Sequence, residues 1–416
     1  MKPSVALEKG PGWGTFVVNS WIFIPAIFFF YIVFLHARNI PIMDDYDAIL
    51  NFLSSYEKAG FKDKMILLLS QHNEHRLLYS RILYVLYYTI FGNVNFRNII
   101  IIGDFQLLGI VLVSVYFIRR CAGKYWSILA LIWTLCIFDL NSYENGDIAM
   151  YGIQNYGVIM LFFVSLFFYS RDNKLSIAAG AVVQAICIFS SGNGMIASLF
   201  LVISAIPGKN RLKKIVSIAT MLVFTPLYFV GYKVVDPADN RYHTTFDIAS
   251  LYFTKMTGAY FNFDNSLIFG AIILVVLLVT FPYKKLFANP AIWPILCILG
   301  FSIASMTSIT LFRSNMPNAQ FQASRYLIYP ELIVATACLF IFLKLEGKKV
   351  KLFVAIVLLL VILKTYSNNY LFGEAGFERT EARAENIPYW YPDMKRAKEI
   401  AVAACQAGIY CLDDER

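Results

Sequence analysis

Charge is scarce in this chain. Of 416 residues only 15% are Asp, Glu, Lys or Arg, while 58% are hydrophobic and 16% aromatic. Soluble domains carry about 25% charged and roughly 45–50% apolar residues. A water-soluble enzyme is therefore not expected, and disorder, which needs high charge and low hydrophobicity, is excluded. Internal repeats and low-complexity tracts are missing, which removes solenoids and fibrous arrays. There is no HExxH motif and no cysteine or histidine spacing of a zinc site, and the chain has only four histidines. The net charge of +9 comes without a basic stretch interleaved with aromatics, so nucleic acid is not an expected partner. No small-residue cleavage site follows the first apolar run, so that run reads as a retained transmembrane helix rather than a signal peptide.

What is present is a series of long apolar runs. Eleven of them read as spans, at roughly 15–36, 98–118, 126–140, 150–170, 175–189, 194–207, 215–232, 266–283, 288–312, 326–343 and 352–367. Basic residues then test the topology. With Lys2 and Lys9 in the cytoplasm, the loops holding Arg119, Arg120 and Lys124, Arg171 and Lys174, Lys209 to Lys214, Lys284 and Lys285, and Lys344 to Lys351 all fall on that side. The short loops 141–149 and 190–194 on the other side carry no Lys or Arg, as the positive-inside rule demands. The expected molecule is an all-α polytopic membrane protein. Its long outer loops are 37–97, 233–265, 313–325 and a tail at 368–416, so chemistry is expected on the outer side. The tyrosine-rich segment 77–92 suits a helix lying at the outer interface. The domain reading is a membrane domain over 1–367, including the first outer loop, followed by the outer tail. Cys405 and Cys411 lie in that tail, where an oxidising compartment permits a disulfide. The other five cysteines read as small apolar fillers.

Candidate chemistry concentrates in the first outer loop. Asp44, Asp45 and Asp47 crowd three acids into four residues at a membrane surface, and a cation, proton or substrate should stabilise them. A carboxylate there can take a proton from a sugar hydroxyl; the bland alternative is a solvated helix start. The same loop holds His72, Glu74, His75 and Arg76 within the segment Gln71–Arg76. If that segment is helical, His72, His75 and Arg76 share a face, as the polar lining of a substrate pocket or as an interfacial cap. Glu144 and Asn145 in the second outer loop, Gln154 just beyond it, and Asn193 in the hinge Ser190–Gly194 supply hydrogen-bonding groups at the same level; ordinary turn chemistry explains the Asn-Gly pairs equally well. Asp104 and Glu331 sit within spans, where acids usually face a cavity or a partner. Arg313 and Arg325 stand at outer helix ends, against the inside bias, and a guanidinium there suits a lipid phosphate.

Together these segments resemble the GT-C class of membrane glycosyltransferases, and more closely the phage-encoded serotype-converting O-antigen glucosyltransferases. The likeness rests on MDDYD at Met43–Asp47, QHNEHR at Gln71–Arg76, the ENG…Q region from Glu144 to Gln154, SSGNG at Ser190–Gly194 and SRY at Ser324–Tyr326. The resemblance implies a GT-C-like fold with a large first periplasmic loop and interfacial helices. It implies an enzyme of a bacterial inner membrane, N-terminus cytoplasmic and C-terminus periplasmic. It would move a hexose, typically glucose, from undecaprenyl phosphate to the O-antigen of lipopolysaccharide, with inversion. Asp44 or Asp45 would be the catalytic base. Arg325, with Arg313 or Arg76, would hold the lipid phosphate. Asp47, His72, Glu74, His75, Glu144, Asn145, Gln154 and Asn193 would line the substrate site. A donor synthase and a flippase would be functional partners. Some GT-C enzymes use a divalent cation and others none, and these residues leave that open. Two further readings share the span pattern: an O-antigen polymerase, and a transporter or lipid flippase. The latter is disfavoured by the lack of internal repeats and by acids gathered at one surface.

Overall fold

The computed structural model describes residues 20–234, 245–261, 263–283, 289–313 and 323–412. Lys2, Lys9, the first residues of the first expected span, Lys284, Lys285 and Gln322 lie outside the described residues. Within the described residues, each of the eleven apolar runs is helical over most of its length. In chain order the α-helices are α1 (Ile24–His36), α2 (Phe52–Lys58), α3 (Phe61–Leu69), α4 (Leu78–Phe91), α5 (Phe96–Ala122), α6 (Trp126–Ile137), α7 (Tyr143–Asp147), α8 (Ala149–Tyr169), α9 (Lys174–Ile188), α10 (Gly192–Ala205), α11 (Arg211–Tyr228), α12 (Phe246–Gly258), α13 (Ser266–Thr280), α14 (Ile292–Arg313), α15 (Ile328–Lys344), α16 (Lys348–Asn386) and α17 (Met394–Gln406). Among the described residues, five helical stretches are long and apolar enough to cross a membrane: Phe96–Asp147, Ala149–Tyr169, Ile292–Arg313, Ser324–Lys344 and Lys348–Asn386. Shorter apolar helices fill 20–36, 174–188, 192–205 and 266–280. The chain is thus an all-α polytopic membrane protein.

Local sequence sets the helix starts. Asn95, Asn173 and Asn210 each accept a hydrogen bond from the backbone N–H three residues on, at 3.1, 2.8 and 3.2 Å, so α5, α9 and α11 begin at capped turns. Burial sorts the bundle. In the apolar part of the stretch 324–344, 94% of residues are buried, so α15 is the central post. In 348–386 only 17% are, and Leu360, Val361 and Phe353 face outward, as a helix bordered by lipid should. Helices α6, α14 and α13 pack on this post, while α5 and α8 pack along one another and α9 packs on α8.

Three features depart from the sequence reading. Helix α16 runs past residue 367, where the last span was expected to end, unbroken from Lys348 to Asn386, and its polar half packs on α7 and on the turn at Leu140–Ser142. Gly373 and Gly376 make that approach possible, because a Cβ there would meet Leu140 and the Tyr143 ring at 2.3 and 2.6 Å. The segment Gln71–Arg76 is a two-stranded hairpin, β1 (Gln71–His72) and β2 (His75–Arg76), with Asn73 in the left-handed region at φ 48°. The shared helical face expected for His72, His75 and Arg76 is therefore replaced by cross-strand pairing of His72 with His75. Asp104 and Glu331 are enclosed at 0% exposure rather than lining an open cavity; Glu331 accepts a hydrogen bond from the Ser142 hydroxyl at 2.8 Å.

The tail, by contrast, docks onto the first loop. Met43 N–H donates to the Trp390 carbonyl at 2.8 Å, and Val94 N–H to the Ile409 carbonyl at 2.8 Å. Cys405 and Cys411 are joined in a disulfide. Glu381, on the polar half of α16, pairs with His36 and Arg38 at the end of α1.

Candidate functional site

The acidic segment starts from a bent backbone. Met43 holds φ 52°, a left-handed conformation that side chains other than glycine seldom adopt, and the chain then enters a π-helical turn at Tyr46–Asn51. The three acids beyond the bend are given three different environments. Asp45 turns inward and is 1% exposed. Its two oxygens accept hydrogen bonds from Ile42 N–H at 3.1 Å and Met150 N–H at 2.8 Å, stitching the first loop to the start of α8. Burial pushes its carboxyl up to about 7, although both backbone donors pull the other way. Asp47 accepts hydrogen bonds from the Tyr391 hydroxyl, from Arg396 at 2.7 Å and from Asn51 at 3.2 Å. Burial raises that carboxyl, but these hydrogen bonds outweigh it and leave Asp47 below the usual carboxylate range. Asp47 thus fastens the tail. Asp44 is half-buried and lightly engaged, its side chain receiving the Tyr151 hydroxyl at 3.4 Å.

Tyr151 links this acid to a cation. The Arg325 guanidinium lies 4.8 Å from the centre of the Tyr151 ring and 5.0 Å from that of Tyr326. Glu144 orients Arg325, accepting from its side chain and its backbone N–H, each at 3.2 Å. Asn145 donates to the Arg325 carbonyl at 2.9 Å and accepts from Asn155 at 2.8 Å. Arg313 lies 5.5 Å from the centre of the same Tyr326 ring and pairs with Glu74 at 3.6 Å. The hairpin closes the group. His72 feels the charges of Asp44 and Asp47, and His75 those of Glu74 and Arg313. Burial lowers both imidazoles, His75 to about 4. The hinge adjoins it: Gly192 N–H donates to His75 Nδ1 at 3.4 Å, and Asn193 donates to the Tyr329 hydroxyl at 2.6 Å.

Most residues singled out in the sequence therefore converge. Asp44, His72, Glu74, His75, Glu144, Asn145, Asn193, Arg313 and Arg325 belong to one connected group, and Gln154 sits half-buried one helical turn beyond Tyr151. Three residues carry structural work instead. Asp45 and Asp47 do so as described. Arg76 is 7% exposed and donates to the carbonyls of Leu69, Tyr228 and Val230, so its guanidinium is used up fixing the hairpin against α11. Sequence reasoning passed over Tyr326, whose ring receives both arginines; its place directly after Arg325 in the SRY segment was the available signal. Arg81 was also passed over. It is 4% exposed, donates to the carbonyls of Leu67 and Ser70, and is pulled down to about 10 by burial. Among the described residues no three His, Cys, Asp or Glu groups converge as a metal site.

The structure is similar to that of ArnT from Cupriavidus metallidurans bound to undecaprenyl phosphate, with a TM-score of 0.47 and 13% identity over 88% of this chain and 78% of that one. No protein-family model matches the chain, and no curated protein sequence does.

Proposed function

We propose that this chain is a GT-C-type glycosyltransferase that moves a hexose, glucose by the sequence resemblance, from a polyprenyl-phosphate donor to a hydroxyl of the O-antigen. The observation that carries the reading is the pairing of a lightly engaged carboxylate, Asp44, with a guanidinium, Arg325, on one tyrosine, Tyr151. Transfer from a sugar phosphate needs both. Asp44 takes the proton of the acceptor hydroxyl as its oxygen attacks the anomeric carbon from the face opposite the phosphate. The bond between that carbon and the phosphate oxygen breaks, and configuration inverts. The leaving group departs as polyprenyl phosphate with added negative charge, which Arg325 and Arg313 offset. Glu144 keeps Arg325 aimed, and His72, Glu74, His75, Asn145, Gln154 and Asn193 offer hydrogen bonds to sugar hydroxyls.

The location follows from the same reading. The basic loops support an outer-side position for the group, and with the sequence resemblance the reading is a bacterial inner membrane with the N-terminus in the cytoplasm and the tail outside. The Cys405–Cys411 disulfide suits an oxidising compartment there. A lipid-linked donor explains why the group sits at the ends of apolar helices, and a synthase and a flippase would supply that donor. The test is the mass of the O-antigen repeat unit in cells expressing the chain with a lipid-linked glucose supply. One added hexose in wild type, absent in Asp44→Asn, is the expected result. An unchanged repeat mass with the protein present in the membrane overturns the acceptor assignment, and longer chains of unchanged repeat would point to a polymerase.

A further inference from the structure

Away from this group, α2, α3 and α4 of the first loop enclose a cleft of about 420 Å³, within the range of small-ligand pockets. Tyr56 and Glu57 line it from α2, Lys64 from α3, and Val85, Tyr88 and Thr89 from α4. A buried residue that the proposed transfer does not use fixes the three helices. Arg81 on α4 lies 5.0 Å from the centre of the Phe52 ring of α2 and donates to the carbonyls of Leu67 and Ser70 at the end of α3. The polar groups of the cleft are unspent. Among the described residues the Glu57 carboxylate and the Tyr56 and Tyr88 hydroxyls make no hydrogen bond or ion pair. The Lys64 ammonium rests 4.9 Å from the centre of the Tyr56 ring and pairs with no acid among the described residues. Thr89 donates to the Val85 carbonyl at 2.7 Å and keeps its oxygen free to accept. One acid and one base leave the lining without net charge, so neither an anion nor a cation is selected. Lys58, Lys62 and Asp63 are exposed and stand outside the lining, as do the exposed apolar Phe61, Leu86 and Ile90, so the lining itself offers no path for an acyl chain. Hydroxyls that donate and accept, beside two aromatic rings, match a neutral sugar, whose own hydroxyls do the same and whose C–H faces pack on rings. The backbone ties the cleft to the acidic segment. The π-helical turn Tyr46–Asn51 runs directly into α2, so Glu57 stands ~15 Å along the helical run from Asp47 at 1.5 Å per residue. A single sugar beside Asp44 does not cover that distance; a glycan chain does.

We infer that this cleft is a second subsite for the glycan acceptor, holding a neutral stretch of the polymer several sugars away from the one that receives the hexose. This rests on the proposed transfer to a polymeric acceptor. Two subsites engaged by one chain raise affinity for long acceptors without a new contact at the reacting carbon. The cleft therefore sets a preference for chain length and leaves the chemical step alone.

Equilibrium binding to the purified full chain in mild detergent tests it, without donor, using lipid-free O-polysaccharide and disaccharide fragments cut from it; transfer to both acceptors is measured alongside. Wild type should hold the polysaccharide about tenfold or more tighter than the fragments. Thr89→Trp, which fills the cleft, and Glu57→Ala should each bring the polysaccharide down toward the level of the fragments, with transfer to the fragments unchanged. Lys62→Gln, outside the cleft, should behave as wild type. Equal binding of long and short acceptors by wild type, or a length preference kept in both cleft variants, overturns the subsite. A length preference that the variants lose, in a chain that transfers hexose to neither acceptor, supports the subsite and overturns the transfer reading instead. Phosphatidylethanolamine retained through purification and lost in Thr89→Trp, with no length preference in wild type, assigns the cleft to a lipid headgroup and overturns the glycan assignment.

Discussion

Replacing Asp45 with alanine should damage the fold in a way that depends on pH, with a sign fixed by the two hydrogen bonds and the burial of that residue. The substitution orphans the N–H groups of Ile42 and Met150, and a buried unpaired donor costs about 1–3 kcal/mol each, so about 2–6 kcal/mol is lost. It also removes a carboxyl raised from 3.8 to about 7. At about 1.4 kcal/mol per unit, keeping that group ionised in the fold costs about 4 kcal/mol once the pH is above both values. Between those values the folded chain holds the proton and the unfolded chain does not, so wild-type stability falls as pH rises through the window. About 2–3 kcal/mol of that fall lies between pH 5 and pH 8. Asp45→Ala does not feel it. The variant should therefore unfold at a lower temperature than wild type at pH 5, and the gap should narrow at pH 8. Thermal unfolding in one detergent at a fixed scan rate measures both, the fixed rate mattering because a large membrane protein unfolds irreversibly. A gap that stays constant or widens with pH would refute the assignment of Asp45 as a buried link between loop and helix whose carboxyl is raised by burial.

Other expectations separate structure from chemistry. His75 is lowered to about 4 against 6.5, so the unfolded chain takes up its proton first and stability is lost as pH falls from about 6.5 to 4; His75→Gln should flatten that acid limb relative to wild type in the same unfolding experiment. Arg76→Gln should lower thermal stability by about 2–5 kcal/mol, leaving three carbonyls short of a donor, and any fall in transfer should track the folded fraction. Arg325→Gln should cut turnover about 100-fold or more with the unfolding temperature little changed, because a charge aimed at a leaving phosphate acts in the transition state. Tyr391→Phe should loosen the tail, read as faster proteolysis beyond residue 386, since Asp47 loses one of its three donors.

The apolar helices were legible because hydropathy over about 20 residues is a strong local signal. The extension of α16 to Asn386 was not. Hydropathy falls away near Asn368, but helix formers such as Glu374, Ala375 and Glu378 continue, and packing against α7 keeps the polar half folded. The hairpin was masked because polar residues at His72, His75 and Arg76 fit a helical face by spacing alone. The candidate site was legible as a set of segments, not as roles. Nothing local tells Asp44, Asp45 and Asp47 apart. Their difference comes from Met150 on α8 and from Tyr391 and Arg396 more than 340 residues downstream, contacts that only the closed fold supplies. The same holds for Arg76 and Arg325: one is spent on backbone carbonyls, the other is turned by Glu144 toward Tyr151.

The most direct test of the proposed chemistry is release of polyprenyl phosphate from a labelled polyprenyl-phosphate hexose by the purified chain in the presence of an O-antigen acceptor. Wild type should release the lipid phosphate in step with hexose appearing on the acceptor. Asp44→Asn should be slower by about 100-fold or more with an unchanged unfolding temperature, the range expected for losing a general base. Full activity in Asp44→Asn, or no release by well-folded wild type, would contradict a glycosyl transfer based on Asp44.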